Sequence, residues 1–167
     1  MTVSVDTFAE VIVSNTITRP ANTTQYTSGD IIANSATAAS VTPFTFADVC
    51  RESQVTRIER IRILKSGTST TSANFRVHFY SGDPGVPSNG DNGAFLTSVA
   101  KWVGSADVTC DRAGTDGAIG TGLSLTNTPM TVKVGTNHIL YALLEARGAY
   151  TPASGETFTI KIEAYRF

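Results

Sequence analysis

The sequence predicts an all-β chain folded as a single β-sandwich of about eight to ten strands. Three observations predict it: apolar residues alternate with a period of two in short runs, turn residues separate those runs, and helical periodicity is nearly absent. The 167 residues suit one core, so the expected domain is 1–167, with 1–26 as an extended N-terminal segment able to reach neighbours.

Taken along the chain, the first run covers 10–18, rich in β-branched residues such as Val11, Ile12, Val13 and Ile17. A short run follows at 42–46. Over 55–64, Ile61 and Ile63 share one parity while Ile58 and Leu64 fall on the other, so a β-bulge is expected near Glu59 and Arg60. The clearest strand is 73–80, where Phe75, Val77 and Phe79 alternate with Arg76, His78 and Tyr80. Further strands are expected at 95–103, 122–125 and 130–134. The run 138–144 is apolar on both parities, which predicts a strand covered on both faces, by its own sheets or by a partner chain. The last run places Phe158, Ile160, Ile162 and Ala164 opposite Thr159, Lys161 and Glu163. Gly, Asn and Asp at 81–85, 89–93, 115–117 and 153–155 supply the turns.

Charge narrows the function classes. Charged residues make up 16% of the chain, and its 13 basic and 14 acidic side chains are dispersed. The basic stripe of a nucleic-acid binder is missing, and no apolar run approaches a membrane span. The N-terminus carries no signal-peptide pattern, which points to synthesis in a reducing cytoplasm. Cys50 and Cys110 lack metal-ligand spacing and are expected as two buried or half-buried thiols, with one bridge as the alternative.

Nothing in the sequence selects catalytic chemistry, so the chain is expected not to be an enzyme and to need no cofactor or metal. His78 and His138 both fall in predicted strands without a nucleophile elbow. Asp83, Asp91 and Asn92 lack the register of a calcium loop and are assigned to turns. Glu145, Glu156 and Glu163 show no spacing that would select a glycosidase pair. The glycine-rich stretch 114–122 is no phosphate loop. Asn22 opens a glycosylation sequon that is silent without secretion. Tyr26, Tyr80, Trp102, Tyr150 and Tyr165 are candidates for a sugar-binding surface, with core or subunit contact as the alternative. Arg57, Arg60, Arg62 and Arg76 would serve either as a basic rim or as solvated strand faces.

Three segments carry a resemblance. Thr18-Arg19-Pro20-Ala21-Asn22-Thr23-Thr24-Gln25-Tyr26-Thr27-Ser28-Gly29-Asp30, then Asp91-Asn92-Gly93-Ala94-Phe95, then the stretch from Tyr141 through Tyr150-Thr151-Pro152-Ala153-Ser154-Gly155-Glu156 are similar to small head proteins of tailed bacteriophages. The resemblance implies a jelly-roll-like head decoration (cement) protein on the outer surface of the expanded shell. Its implied partners are the major capsid protein and itself, as a dimer or trimer. It brings no catalytic residues and no partner-binding motif. The competing reading is a tail-associated or receptor-binding module that recognises a cell-surface glycan. The N-terminal part is expected either to add a strand to a neighbour or to form the first strand of its own sandwich.

Overall fold

The computed structural model describes residues 9–51, 55–85, 90–97, 101–122, 130–134 and 137–167. Among them run eleven strands: β1 (Ala9–Thr18), β2 (Ile31–Ile32), β3 (Phe44–Ala47), β4 (Thr56–Lys65), β5 (Asn74–Tyr80), β6 (Trp102–Thr109), β7 (Arg112–Ala113), β8 (Ala118–Gly122), β9 (Met130–Val132), β10 (Ile139–Ala146) and β11 (Thr157–Arg166). They form two antiparallel sheets packed as a sandwich, in keeping with a jelly-roll-like fold. One sheet has the order β1-β11-β4-β8-β7, with β9 beside β4; the other runs β2-β10-β5-β6, with β3 beside β10.

Period-two alternation explains the core. On β11, Phe158, Ile160, Ile162 and Ala164 are buried while the residues between them are not. They meet Phe75, Val77 and Phe79 of β5 and Leu140, Ala142 and Leu144 of β10 across the sandwich. Each large apolar side chain so buried stabilises the fold by about 1.5–3 kcal/mol. The expected bulge is present. Arg60 pairs with Glu163 but Ile58 pairs with Ala164, so Glu59 is the extra residue. That insertion lets Ile58, Ile61 and Ile63 all face the core despite their mixed parity. Leu64 stays on the outer face, 40% exposed, and Lys65 turns inward.

β10 is covered on both faces, and its own chain supplies both covers. Its inner residues join the main core. On its other face Leu143 packs with Ile31, Ala33, Val41 and Tyr80 in a second cluster, flanked by Phe95 and Tyr141. Residues 33–41 and 91–95, through Ala33, Val41 and Phe95, therefore form a lid over the outer side of the second sheet.

The structure also corrects the sequence reading. Of the strand expected over 95–103, residues 98–100 lie outside the described residues, and the described strand runs from Trp102 to Thr109, where pairing with β5 outweighs the weak alternation of Gly104, Ser105 and Asp107. Phe95 instead follows an isolated bridge between Asp30 and Ala94. The run placed at 122–125 starts earlier, as β8, and 123–125 lie outside the described residues. The glycine-rich stretch becomes the β7–β8 hairpin. A Cβ on Gly120 would sit 2.3 Å from the Thr109 carbonyl oxygen, and one on Gly122 would sit 2.3 Å from that of Asp107. Glycine here lets β8 press onto β6 where the two sheets meet. His138 lies just before β10 in a left-handed turn (φ 57°), not within the strand. β2 and β7, at two residues each, are too short to show any period.

Cys50 and Cys110 are buried and unbridged. Burial pushes the Cys110 thiol up to about 12 and raises that of Cys50 as well. Neither thiol should react with a water-soluble disulfide reagent in the native protein, and both should react after unfolding in denaturant. Gly120→Ala should lower stability by about 1–3 kcal/mol, read from the urea unfolding midpoint.

Candidate functional site

The most concentrated polar chemistry among the described residues lies inside one end of the sandwich, where the chain leaves β1, β4 and β10 and enters β11. Arg19 follows directly on β1, and its side chain is fully buried. Its guanidinium donates to the Tyr26 hydroxyl at 2.8 Å and the Asn22 side chain at 2.9 Å, and pairs with Asp91 at 3.1 Å. Asp91 also accepts from the Tyr26 hydroxyl at 2.6 Å and the Ala33 amide at 3.0 Å. Burial and the Asp91 carboxylate both push the Tyr26 hydroxyl far up, so it remains a donor.

A second buried pair sits beside the first. Lys65, turned inward on the parity of Ile61 and Ile63, meets Glu156 at 3.3 Å, and neither side chain is exposed. Lys65 also donates to the Gly67 carbonyl at 2.6 Å and lies over the Tyr150 ring at 5.0 Å. Glu156 accepts from the Tyr150 hydroxyl at 2.7 Å, the Gly67 amide at 3.0 Å and the Ala153 amide at 3.2 Å. A Cβ on Gly67 would come within 2.2 Å of the carboxylate, so only glycine fits there. The two pairs are coupled. Tyr26 and Tyr150 stack nearly parallel, 6.5 Å between centroids, and the Arg19 amide donates to the Glu156 carbonyl at 3.1 Å.

A third group lies under the lid. His78 is bonded to Glu145 at 2.8 Å, Arg147 donates to the other oxygen of Glu145 at 2.8 Å, and Phe95 stacks on the His78 ring at 4.4 Å. Burial alone would raise the Glu145 carboxyl, but the bonds from His78 and Arg147 prevail and hold it below its ordinary value of 4.5. The same carboxylate, after burial, helps push Tyr80 up to about 12. His78 thus belongs to a covered face rather than to a solvated one.

The candidate residues named from sequence are distributed rather than gathered. Asp83 closes a turn onto the Gly85 amide, and Asn92 occupies a left-handed position. Among the described residues no three His, Cys, Asp or Glu side chains converge as metal ligands. Glu145 and Glu156 serve separate buried networks, and Glu163 pairs with Arg60 and Arg62 on the outer face of the first sheet. The four arginines form no single rim: Arg57, Arg60 and Arg62 lie on β4, whereas Arg76 lies on β5 in the other sheet, bonded twice to Asp107. Of the five aromatic candidates, Tyr26, Tyr80 and Tyr150 are buried, and Trp102 and Tyr165 are exposed on different sheets. Lys65 was missed, although it shares the parity of Ile61 and Ile63. A lysine on a core-facing parity signals a buried partner.

No family model matches the sequence, and no curated protein does either. Among solved structures, a chain of the cyanophage Pam1 capsid asymmetric unit superposes over 100% of this chain and 91% of its own, with 9% identity and a TM-score of 0.36. The decameric BFDV capsid protein superposes over 96% of this chain and 98% of its own, with 13% identity and a TM-score of 0.36.

Removing one partner of a buried pair leaves a bare charge. Arg19→Ala and Asp91→Ala should each destabilise by about 3–5 kcal/mol, while the double variant should cost clearly less than their sum; denaturant unfolding of all four proteins checks this. Because the folded Glu145 value lies below the unfolded one, the unfolded chain binds more protons. The stability it contributes is present above pH 4.5 and is lost as pH falls through the folded value. Glu145→Gln should therefore flatten the acid limb of a melting-temperature profile below that pH.

Proposed function

We propose that this chain is a head decoration, or cement, protein of a tailed bacteriophage, bound to the outer surface of the expanded major capsid shell. The observation that carries the reading is the meeting of the three segments that resemble such proteins. Arg19, Asn22 and Tyr26 come from the first, Asp91 from the second, and Tyr150 and Glu156 from the third. Residues far apart in sequence bond to one another at one end of the fold. A pattern shared for that reason is a pattern of framework, and it supports a common architecture rather than a common active site.

The physical requirements of a cement protein agree with this framework. Such a protein needs rigidity, a broad contact surface and high copy number, and no bond-making chemistry. The buried ion pairs and the doubly covered β10 supply rigidity without a disulfide. Binding to the expanded lattice alone would stabilise it by mass action, about 2.7 kcal/mol per site at a free concentration one hundred times Kd. In this reading the protein is made in the host cytoplasm and resides on the virion exterior. The glycan-binding alternative is weakened because three of its five aromatic candidates are core residues.

Purified protein should co-sediment with empty expanded heads, saturably and at many copies per shell, and should raise the temperature at which the heads rupture. Absence of binding, or a handful of copies per particle, would sink the cement reading and favour a tail-associated module, to be pursued on a glycan array.

A further inference from the structure

At each lateral edge of the sandwich a strand of the first sheet comes close to a strand of the second. On one side β8 lies against β6, with Gly120 and Gly122 set on the Thr109 and Asp107 carbonyls. On the other side the first sheet ends in β1, which packs close to β3 of the second sheet without a backbone hydrogen bond to it. β1 pairs with β11 through all ten residues, from Ala9 to Thr18. Among the described residues, no backbone group of these ten bonds to any element other than β11. A bare strand edge is a template for another strand, and natural edges are usually blunted by Pro, Lys, a bulge or an inward charge. β1 has none of these.

Its sequence suits one occupant, a second copy of itself. Val11-Ile12-Val13 reads the same in both directions, so an antiparallel pair centred on Ile12 is self-complementary. Ile12, 53% exposed on the outer face, would lie against Ile12 of the second copy. The half-buried Val11 and Val13 would face Val13 and Val11 of the copy. Glu10, the one charged residue of the strand, would stand opposite Ser14, whose neighbour on β11 is Lys161. The charge thus approaches a cation and avoids the other Glu10. Shifting the centre by one residue would set Val11 against the polar Asn15 and remove the Ile12 contact.

We propose that two copies join edge to edge through β1, antiparallel, about a two-fold axis at Ile12, so that their six-stranded sheets become one continuous sheet. This goes beyond the particle reading and does not rest on it.

The test uses the full chain and three variants. The wild-type protein should sediment as a two-chain particle of 17.6 kDa protomers. Ile12→Lys sets two like charges face to face and should halve the sedimenting mass, with the circular dichroism spectrum kept because the side chain is exposed and the unfolding midpoint made independent of protein concentration. Under mild oxidation Ile12→Cys should cross-link to a covalent dimer, whereas Ser14→Cys should not, since Ser14 faces Glu10 of the copy. Cys50 and Cys110 are buried and should not compete. A monomeric or trimeric wild-type protein, an Ile12→Lys variant that stays paired, or equal cross-linking at both positions would each overturn the proposal. Should Ile12→Lys fail to fold, the contrast between the two cysteine variants decides alone.

Discussion

Two carboxylates withdrawn from water, Asp91 and Glu156, set the terms for one end of this molecule. A buried anion is costly unless it is paired and its remaining lone pairs are met. Asp91 meets that demand with Arg19, Tyr26 and the Ala33 amide. Glu156 meets it with Lys65, Tyr150 and the amides of Gly67 and Ala153. These donors come from segments that share no strand, so satisfying two side chains fixes the paths of several connections at once. The apolar core alone would leave those connections free to vary. The Tyr26–Tyr150 stack then makes the two sites one body, with Phe75 and Phe158 set edge-on beneath Tyr150.

The bulge on β4 adds Ile58 to the core face that Ile61, Ile63 and Lys65 share. Without the extra residue at Glu59, a strict period of two would put Ile58 on the opposite face from Ile61 and Ile63. With it, one strand presents three isoleucines inward and then continues to Lys65, which reaches Glu156 from the core side. The same insertion leaves Arg57, Arg60, Arg62 and Leu64 on the outer face, beside Lys161 and Glu163 of β11. Ion pairs there are exposed and each contributes about 1 kcal/mol or less. They shape the surface that a partner would meet more than they hold the fold.

Much of the architecture was legible because alternation is a local property. β5, β10 and β11 follow from their own residues, and the break in phase on β4 announced its bulge. β6 was misplaced because Gly104, Ser105 and Asp107 carry little pattern of their own; it is a strand because β5 offers a partner. The same holds for β8, whose glycines read as a loop until the neighbouring carbonyls are in view. The polar network was legible only in part. Its residues stood out as three conspicuous segments, but Asp91 was assigned to a turn and Arg19 to no role, since contacts across such separations leave no trace in periodicity.

The sequence by itself determined the class of fold and the core faces of the principal strands. The tertiary structure decided which charges are buried together and what covers the outer side of β10. The division has a physical reason. Which way a side chain points depends on its neighbours along the strand, whereas the partner of a buried charge depends on which segments the whole fold brings into reach.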